Sequence, residues 1–204
     1  MKGFGDLYKS EKKKNKKSKF AREQLTNQAI QLHLNGNISE AAKYYEQIIN
    51  QGCNDHRVFS NYGVILQGQG KLKEAEKSYR KAIELKPDYA DAQSNLGVIL
   101  NDLGNLKEAE LSYRKAIEIN PDLADAHFNL GNTLRNLGKF REAELSTRKV
   151  IELKPNFVEA YSNLGRILRA LGKLEDAKIC SEKIMSIRSW SILGSYSFNQ
   201  RELD

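Results

Sequence analysis

The chain has 204 residues, 40% of them hydrophobic, and its 33 Lys and Arg against 26 Asp and Glu give a formal charge of +7. That apolar content is enough for a core, but no run of about 18 apolar residues exists, which excludes a transmembrane helix. The N-terminal lysines lack the apolar stretch of a signal peptide, so a cytoplasmic protein without membrane insertion is expected.

The charge is unevenly placed. The segment 1–19 holds eight lysines against Asp6 and Glu11, a net of +6, which leaves only +1 for the rest of the chain. Residues 1–18 are predicted as a Lys-rich disordered arm, because KSEKKKNKKSK has too few apolar residues to fold. Two readings of the arm stand side by side. It is a solubilising segment, or it makes weak anionic contacts with phosphates, lipid headgroups or an acidic partner. No aromatic residue is interleaved with these lysines, and nucleic-acid association through the arm is the least favoured function.

From residue 19 onward the sequence repeats every 34 residues. The clearest unit is PDYADAQSNLGVILNDLGNLKEAELSYRKAIEIN, Pro87 to Asn120. Copies begin at Pro121 and Pro155, Cys53 to Lys86 aligns without a gap, and Lys19 to Gly52 aligns more weakly. Five repeats are therefore predicted, at 19–52, 53–86, 87–120, 121–154 and 155–188. Within each, apolar residues follow helical spacing twice, as in Leu96, Ile99, Leu100 and Leu103, then Leu106, Ala109, Tyr113, Ala116 and Ile117. Each repeat reads as a helical hairpin.

A glycine followed by a polar residue (Gly36, Gly70, Gly104, Gly138, Gly172) marks the turn inside each hairpin, where a left-handed residue ends the first helix. Between repeats, Lys-Pro or Asn-Pro ends the second helix, and Asp88, Asp122 or Asn156 is placed to cap the next. Ala41, Ala75, Ala109, Ala143 and Ala177 in the second helices, and Gly63, Gly97, Gly131 and Gly165 in the first, predict close helix approach. A larger residue in either series is expected to clash.

Leu-Gly in the first helix, then Ala, Tyr, Ala and Pro within one period, resembles the tetratricopeptide repeat family across residues 19–188. The resemblance implies an all-α solenoid of stacked hairpins, a right-handed superhelix whose inner face is lined by the first helices, and contacts confined to neighbouring repeats. Three departures stand out: Gln28-Ala29 replaces Leu-Gly in the first repeat, and Thr147 and Ser181 replace the aromatic in the fourth and fifth. Those repeats are expected to pack less well. After them the tail 189–204, with Trp190, Ile192, Leu193, Tyr196 and Phe198, has no clear helical period. It is expected either to fold back as an irregular cap on the last hairpin or to stay exposed for contact.

Asparagine recurs at one point of the repeat: Asn27, Asn61, Asn95, Asn129 and Asn163. Asn is a poor residue for a helix interior, so five copies require a role. Packed helices lie about 8–10 Å apart and an extended peptide rises about 3.3 Å per residue. One Asn therefore meets roughly every third peptide unit, and its amide can pair with backbone N–H and C=O regardless of side chain. The alternative is that these amides brace neighbouring helices. Adjacent positions differ between repeats, with Asn101 and Asp102 in the third, Asn132, Arg135 and Asn136 in the fourth, and Arg166 and Arg169 in the fifth. The C-terminal half of the ladder is cationic.

The array is similar to the tetratricopeptide superhelix of O-linked N-acetylglucosamine transferases, and the resemblance implies that an asparagine ladder holds substrate backbone. Where related domains grip chaperone carboxylates with Lys and Arg, this chain carries Ser60, Ser94, Phe128 and Asn129. That clamp is not expected.

Cys53 and Cys180 belong to no CxxC or Cys/His cluster, and His33, His56 and His127 are scattered, so no metal, disulfide framework or cofactor is predicted. Glu74 with Glu76, and Glu108 with Glu110, lie among lysines, where solvated helix-face pairing is favoured over acid–base catalysis. The segments outside the repeats, 1–18 and 189–204, are too short for a catalytic domain, so none is expected. The expected function is a noncatalytic scaffold that binds an extended peptide of a partner protein. The alternative is an accessory that presents substrates to a transferase acting in trans, or a truncated relative of a repeat-bearing glycosyltransferase.

Overall fold

A computed structural model describes residues 20–200, with side chains as far as Ser189. The described residues form helices and no strand. Helix α1 spans 20–34, followed by α2 (Ile38–Asn50), α3 (His56–Gly68), α4 (Leu72–Leu85), α5 (Ala90–Asp102), α6 (Leu106–Ile119), α7 (Ala124–Asn136), α8 (Phe140–Leu153), α9 (Val158–Ala170) and α10 (Leu174–Gln200). Each repeat window holds one odd-numbered and one even-numbered helix. The chain divides into two compact units at Ala92/Gln93, inside α5.

The turn inside each hairpin is set by backbone conformation. Gly36, Gly70, Gly104, Gly138 and Gly172 all have φ between 73° and 80°. At Gly70 the amide donates to Gln67 O and the next amide, Lys71, donates to Leu66 O, both at 2.9 Å. This is the paired closure of a left-handed C-terminal cap, and Cβ strain makes any residue but glycine costly there.

The turn between repeats is built differently from expectation. Asp122 and Asn156 do not cap: α7 and α9 start after Leu123 and Phe157, and neither has a side-chain cap. Backbone bonds close the turn instead, Leu123 N to Asn120 O and Phe157 N to Lys154 O. The proline carbonyls are met by side chains one turn on, His127 Nε2 at 2.8 Å from Pro121 O and the Tyr161 hydroxyl donating to Pro155 O at 3.0 Å. A side-chain cap does form at α3, whose repeat has no proline: Asp55 accepts from Arg57 N at 2.9 Å.

In the first unit the core gathers Ala29, Ala41, Tyr45, Ile48, Cys53, Val58 and Ile65. Ala41, Tyr45 and Val58 are fully buried, and each large apolar side chain so buried contributes about 1.5–3 kcal/mol. In the second unit Leu96, Ile99, Leu100, Leu130, Leu134, Leu164, Ile167 and Leu168 line the inward faces of α5, α7 and α9. Both units place a second-helix ring over a first-helix glycine. The Tyr79 ring lies against Gly63 and the Tyr113 ring against Gly97, where an added Cβ would sit 2.8 Å and 2.6 Å from the ring.

The ring contact is absent where the aromatic is replaced, with two outcomes. At Gly131 an added Cβ would still sit 2.7 Å from Thr147 Oγ1, whereas at Gly165 it would meet Cys180 Cβ at 3.6 Å, an ordinary contact. The expected clash therefore does not extend to Gly165. At the C-terminus, α10 continues as one helix of 27 residues to Gln200, so the backbone beyond 188 is neither irregular nor folded back. The tail side chains from Trp190 on lie outside the described residues, as do the arm at 1–18 and residues 201–204.

Substitution of two glycines separates these cases. Gly97→Ala drives a methyl into the buried Tyr113 ring and is expected to cost about 1–3 kcal/mol. Gly165→Ala has room and gains helix propensity, about 0.5–1 kcal/mol. Urea unfolding followed by circular dichroism should show the two variants shifting in opposite directions; equal shifts would refute the packing difference.

Candidate functional site

The odd-numbered helices carry the asparagine series, and the structure does not treat its members alike. Asn27 is exposed, Asn61, Asn95 and Asn129 are half-buried, and Asn163 is 5% exposed. Asn163 Nδ2 donates to Thr147 Oγ1 at 3.3 Å, while its Oδ1 is buried without a partner. Sixteen positions before each of Asn61, Asn95 and Asn129 stands a tyrosine, Tyr45, Tyr79 or Tyr113; before Asn163 stands Thr147. The smaller side chain lets the last amide sink inward and brace α9 against α8. In the first unit the Asn61 amide lies beside the buried Tyr45 hydroxyl, which closes no hydrogen bond.

Asn95, Asn129 and Asn132 make no side-chain hydrogen bond among the described residues. Asn101 Oδ1 accepts from Thr133 Oγ1 at 3.3 Å, which ties α5 to α7. Arg135 is half-buried and donates to Asn136 Oδ1, also at 3.3 Å. Arg166 and Arg169 are exposed on α9. Among the described residues none of these three arginines forms an ion pair.

The even-numbered helices behave in the opposite way. Glu110 on α6 is almost buried and holds both Arg114, at 3.0 Å, and Lys139 of the next repeat, at 2.8 Å. Glu144 on α8 repeats the arrangement with Arg148 at 2.9 Å and Lys173 at 2.8 Å. Burial alone disfavours the charged carboxylate. The hydrogen bonds from lysine and arginine outweigh it and hold Glu110 and Glu144 below the usual carboxylate range. Glu110 is thus a buried inter-repeat tie rather than a solvated surface charge, which corrects the sequence expectation. The tie stops at the third repeat, where Asn105 replaces the lysine.

Sequence reasoning also missed a row of exposed apolar side chains on the even helices, Leu111, Leu145 and Ile179, at 68%, 70% and 61% exposure. Beside Ile179 a groove opens between α8 and α10, floored by Ile151, Tyr161, Leu164, Leu168 and Cys180. One repeat earlier, Arg114 pairs with Glu142 at the matching place; here the shorter Asp176 shares the groove with Arg148 and forms no ion pair with it. The fixed period of these three residues was the available signal.

Neither cysteine is poised as a nucleophile. Cys53 and Cys180 are free and buried, and burial pushes both thiols up, away from the reactive thiolate. Among the described residues no group of three His, Cys, Asp or Glu could hold a metal, and no helix is long and apolar enough to cross a membrane.

Hairpins recurring at one fixed period, each with a left-handed glycine turn and an alanine-lined helix contact, decide the family when set beside known sequences. A TPR repeat model matches residues 63–104 and 97–138, and tetratricopeptide repeat models match 124–157 and 147–179. The chain belongs to the tetratricopeptide repeat family. No curated protein matches the sequence. Among solved structures, MamA is similar over 80% of this chain and 96% of its own, with a TM-score of 0.75 and 22% identity. A MamA fragment from Desulfovibrio magneticus RS-1 covers 82% and 95%, with 0.74 and 19%. YrrB, described as a TPR protein with an unusual peptide-binding site, covers 86% and 90%, with 0.72 and 23%. At these identities the likeness concerns the all-α repeat fold.

The glutamate ties make stability depend on pH. A carboxyl whose pKa falls on folding adds stability above its unfolded value, and loses it as pH falls through the folded one. Glu110→Gln with Glu144→Gln should lower the melting temperature near neutral pH, and the gap to the unmodified protein should close below about pH 4. A gap unchanged by acid would contradict the ionic tie.

Proposed function

We propose that the chain is a noncatalytic interaction module that holds an extended segment of a partner protein against the faces of its first helices. One observation carries this reading. The first-helix amides Asn95, Asn129 and Asn132 are half-buried and make no side-chain hydrogen bond among the described residues, while Glu110 and Glu144 on the second helices are engaged within the fold. An amide offering a donor and an acceptor to solvent on successive helices suits peptide backbone.

The binding set is narrower than the full asparagine ladder. In the second unit it comprises Asn95, Asn129 and Asn132, with Asn101, Arg135, Arg166 and Arg169 beside them. In the first unit Asn27 and Asn61 present the same chemistry on α1 and α3. Asn163 is a brace, because its amide is buried against Thr147. A similar structure whose description names a peptide-binding site supports the reading. Each hydrogen bond nets about 0.5–1.5 kcal/mol, and the segment must be ordered on binding, so modest affinity is expected.

A pull-down from native lysate, with the unmodified protein beside Asn95→Ala, Asn129→Ala and Asn132→Ala combined, tests this. Loss of three hydrogen bonds should weaken partner retention by at least about tenfold. Because Ala is the better helix former, the melting temperature should hold or rise. Equal retention by both proteins would refute the proposal, and a transferase among the retained partners would mark the module as substrate-presenting.

A further inference from the structure

Two sets of arginines in the second unit contrast, with Arg141 on α8 outside both. Arg114 and Arg148, on second helices, each hold a glutamate four positions earlier. Arg135, Arg166 and Arg169, on the faces of α7 and α9, meet no carboxylate among the described residues. They also lie on neighbouring helices. Asn101 on α5 bonds Thr133 on α7, and one repeat further on the same two positions are Arg135 and Ile167, which sets Arg135 opposite the stretch of α9 that carries Arg166. Arg169 follows about 4.5 Å further along α9.

The nearest structural explanation is complementarity to the helix dipole, since Arg135 and Arg169 are in the last turns of their helices. It leaves Arg166 unexplained, because that residue is a turn earlier, and α3 and α5 end without any basic residue. Position by position, the face changes character. Val64 and Val98 become Asn132 and Arg166, while Gln67 and Asn101 become Arg135 and Arg169. The acid groups of these helices lie at their opposite ends, Asp125 already paired to Lys154 at 2.8 Å, and Glu159 in the first turn of α9.

We infer that the α7–α9 face selects an acidic peptide segment, with carboxylates met by Arg135, Arg166 and Arg169 while Asn129 and Asn132 hold its backbone. This inference rests on the groove reading above and names the class of its ligand. Extended chain places same-side residues about 6.6–6.8 Å apart, and adjacent helices lie about 8–10 Å apart. Acidic residues two or three apart therefore reach successive helices, within the play of an arginine side chain. Guanidinium pairs with carboxylate through two parallel hydrogen bonds, which gives direction as well as charge.

The test is fluorescence anisotropy with the full chain and a labelled, end-blocked peptide of alternating Glu and Ala, beside its Gln–Ala counterpart. The Glu peptide should bind at least about tenfold more tightly, and added salt should weaken it. Arg135→Gln, Arg166→Gln and Arg169→Gln combined should abolish the preference. Lys107→Gln, Arg141→Gln and Lys178→Gln, an equal charge change on second helices, should leave it intact, and the lysine arm is the same in both variants. Preference surviving the first triple, or falling equally with the second, overturns the inference. So does equal binding of both peptides; if asparagine substitution weakens both, the groove reading survives without the acidic ligand. Tighter, arginine-dependent binding of a short single-stranded RNA than of the Glu peptide also overturns it.

Discussion

The contact between a second-helix ring and a first-helix glycine sets the geometry from which the rest follows. With Tyr79 on Gly63 and Tyr113 on Gly97, the two helices approach until no Cβ fits between them. That approach fixes which side of the first helix is buried. Leu96, Ile99 and Leu100 turn inward, and Asn95, next to Leu96 in the chain, is held at the margin of the buried face. The same constraint explains the exception. Where Thr147 replaces the ring, Asn163 sinks inward and becomes a brace.

Charge follows the same division of labour. Second helices engage their carboxylates across repeats, Glu110 to Lys139 and Glu144 to Lys173, and the lysine in each case is the residue just after the hairpin glycine. The turn that ends one helix thus also supplies the cation that ties its repeat to the one before. First helices α7 and α9 instead keep three arginines free of carboxylates among the described residues. A face whose charge is not needed for folding is one where charge can serve a partner.

The repeat was legible in the sequence wherever one residue type has one physical use. Glycine at the hairpin turn is such a case, because only the left-handed conformation explains its recurrence beside a polar residue, and all five have positive φ. Proline with Asp or Asn was less decisive. Two mechanisms fit it, and the structure uses backbone bonds with His127 and Tyr161 rather than side-chain caps. The glutamate ties were invisible locally, since their partners stand 29 residues apart and Glu110 has a nearer arginine. The candidate face was legible as a period, yet the fate of Asn163 depended on Thr147, 16 positions earlier. The sequence marks Thr147 as a change in packing but not its effect on that amide.

The proposed partner site is the first-helix face, and not the apolar row on the second helices. Photo-crosslinking decides it directly: a benzoylphenylalanine placed at Asn132, on the face of α7, is compared with one at Leu145, 70% exposed on α8. A crosslink to the captured partner is expected from position 132 and none from 145. Crosslinking from 145 alone would contradict this and move the interface to the second helices.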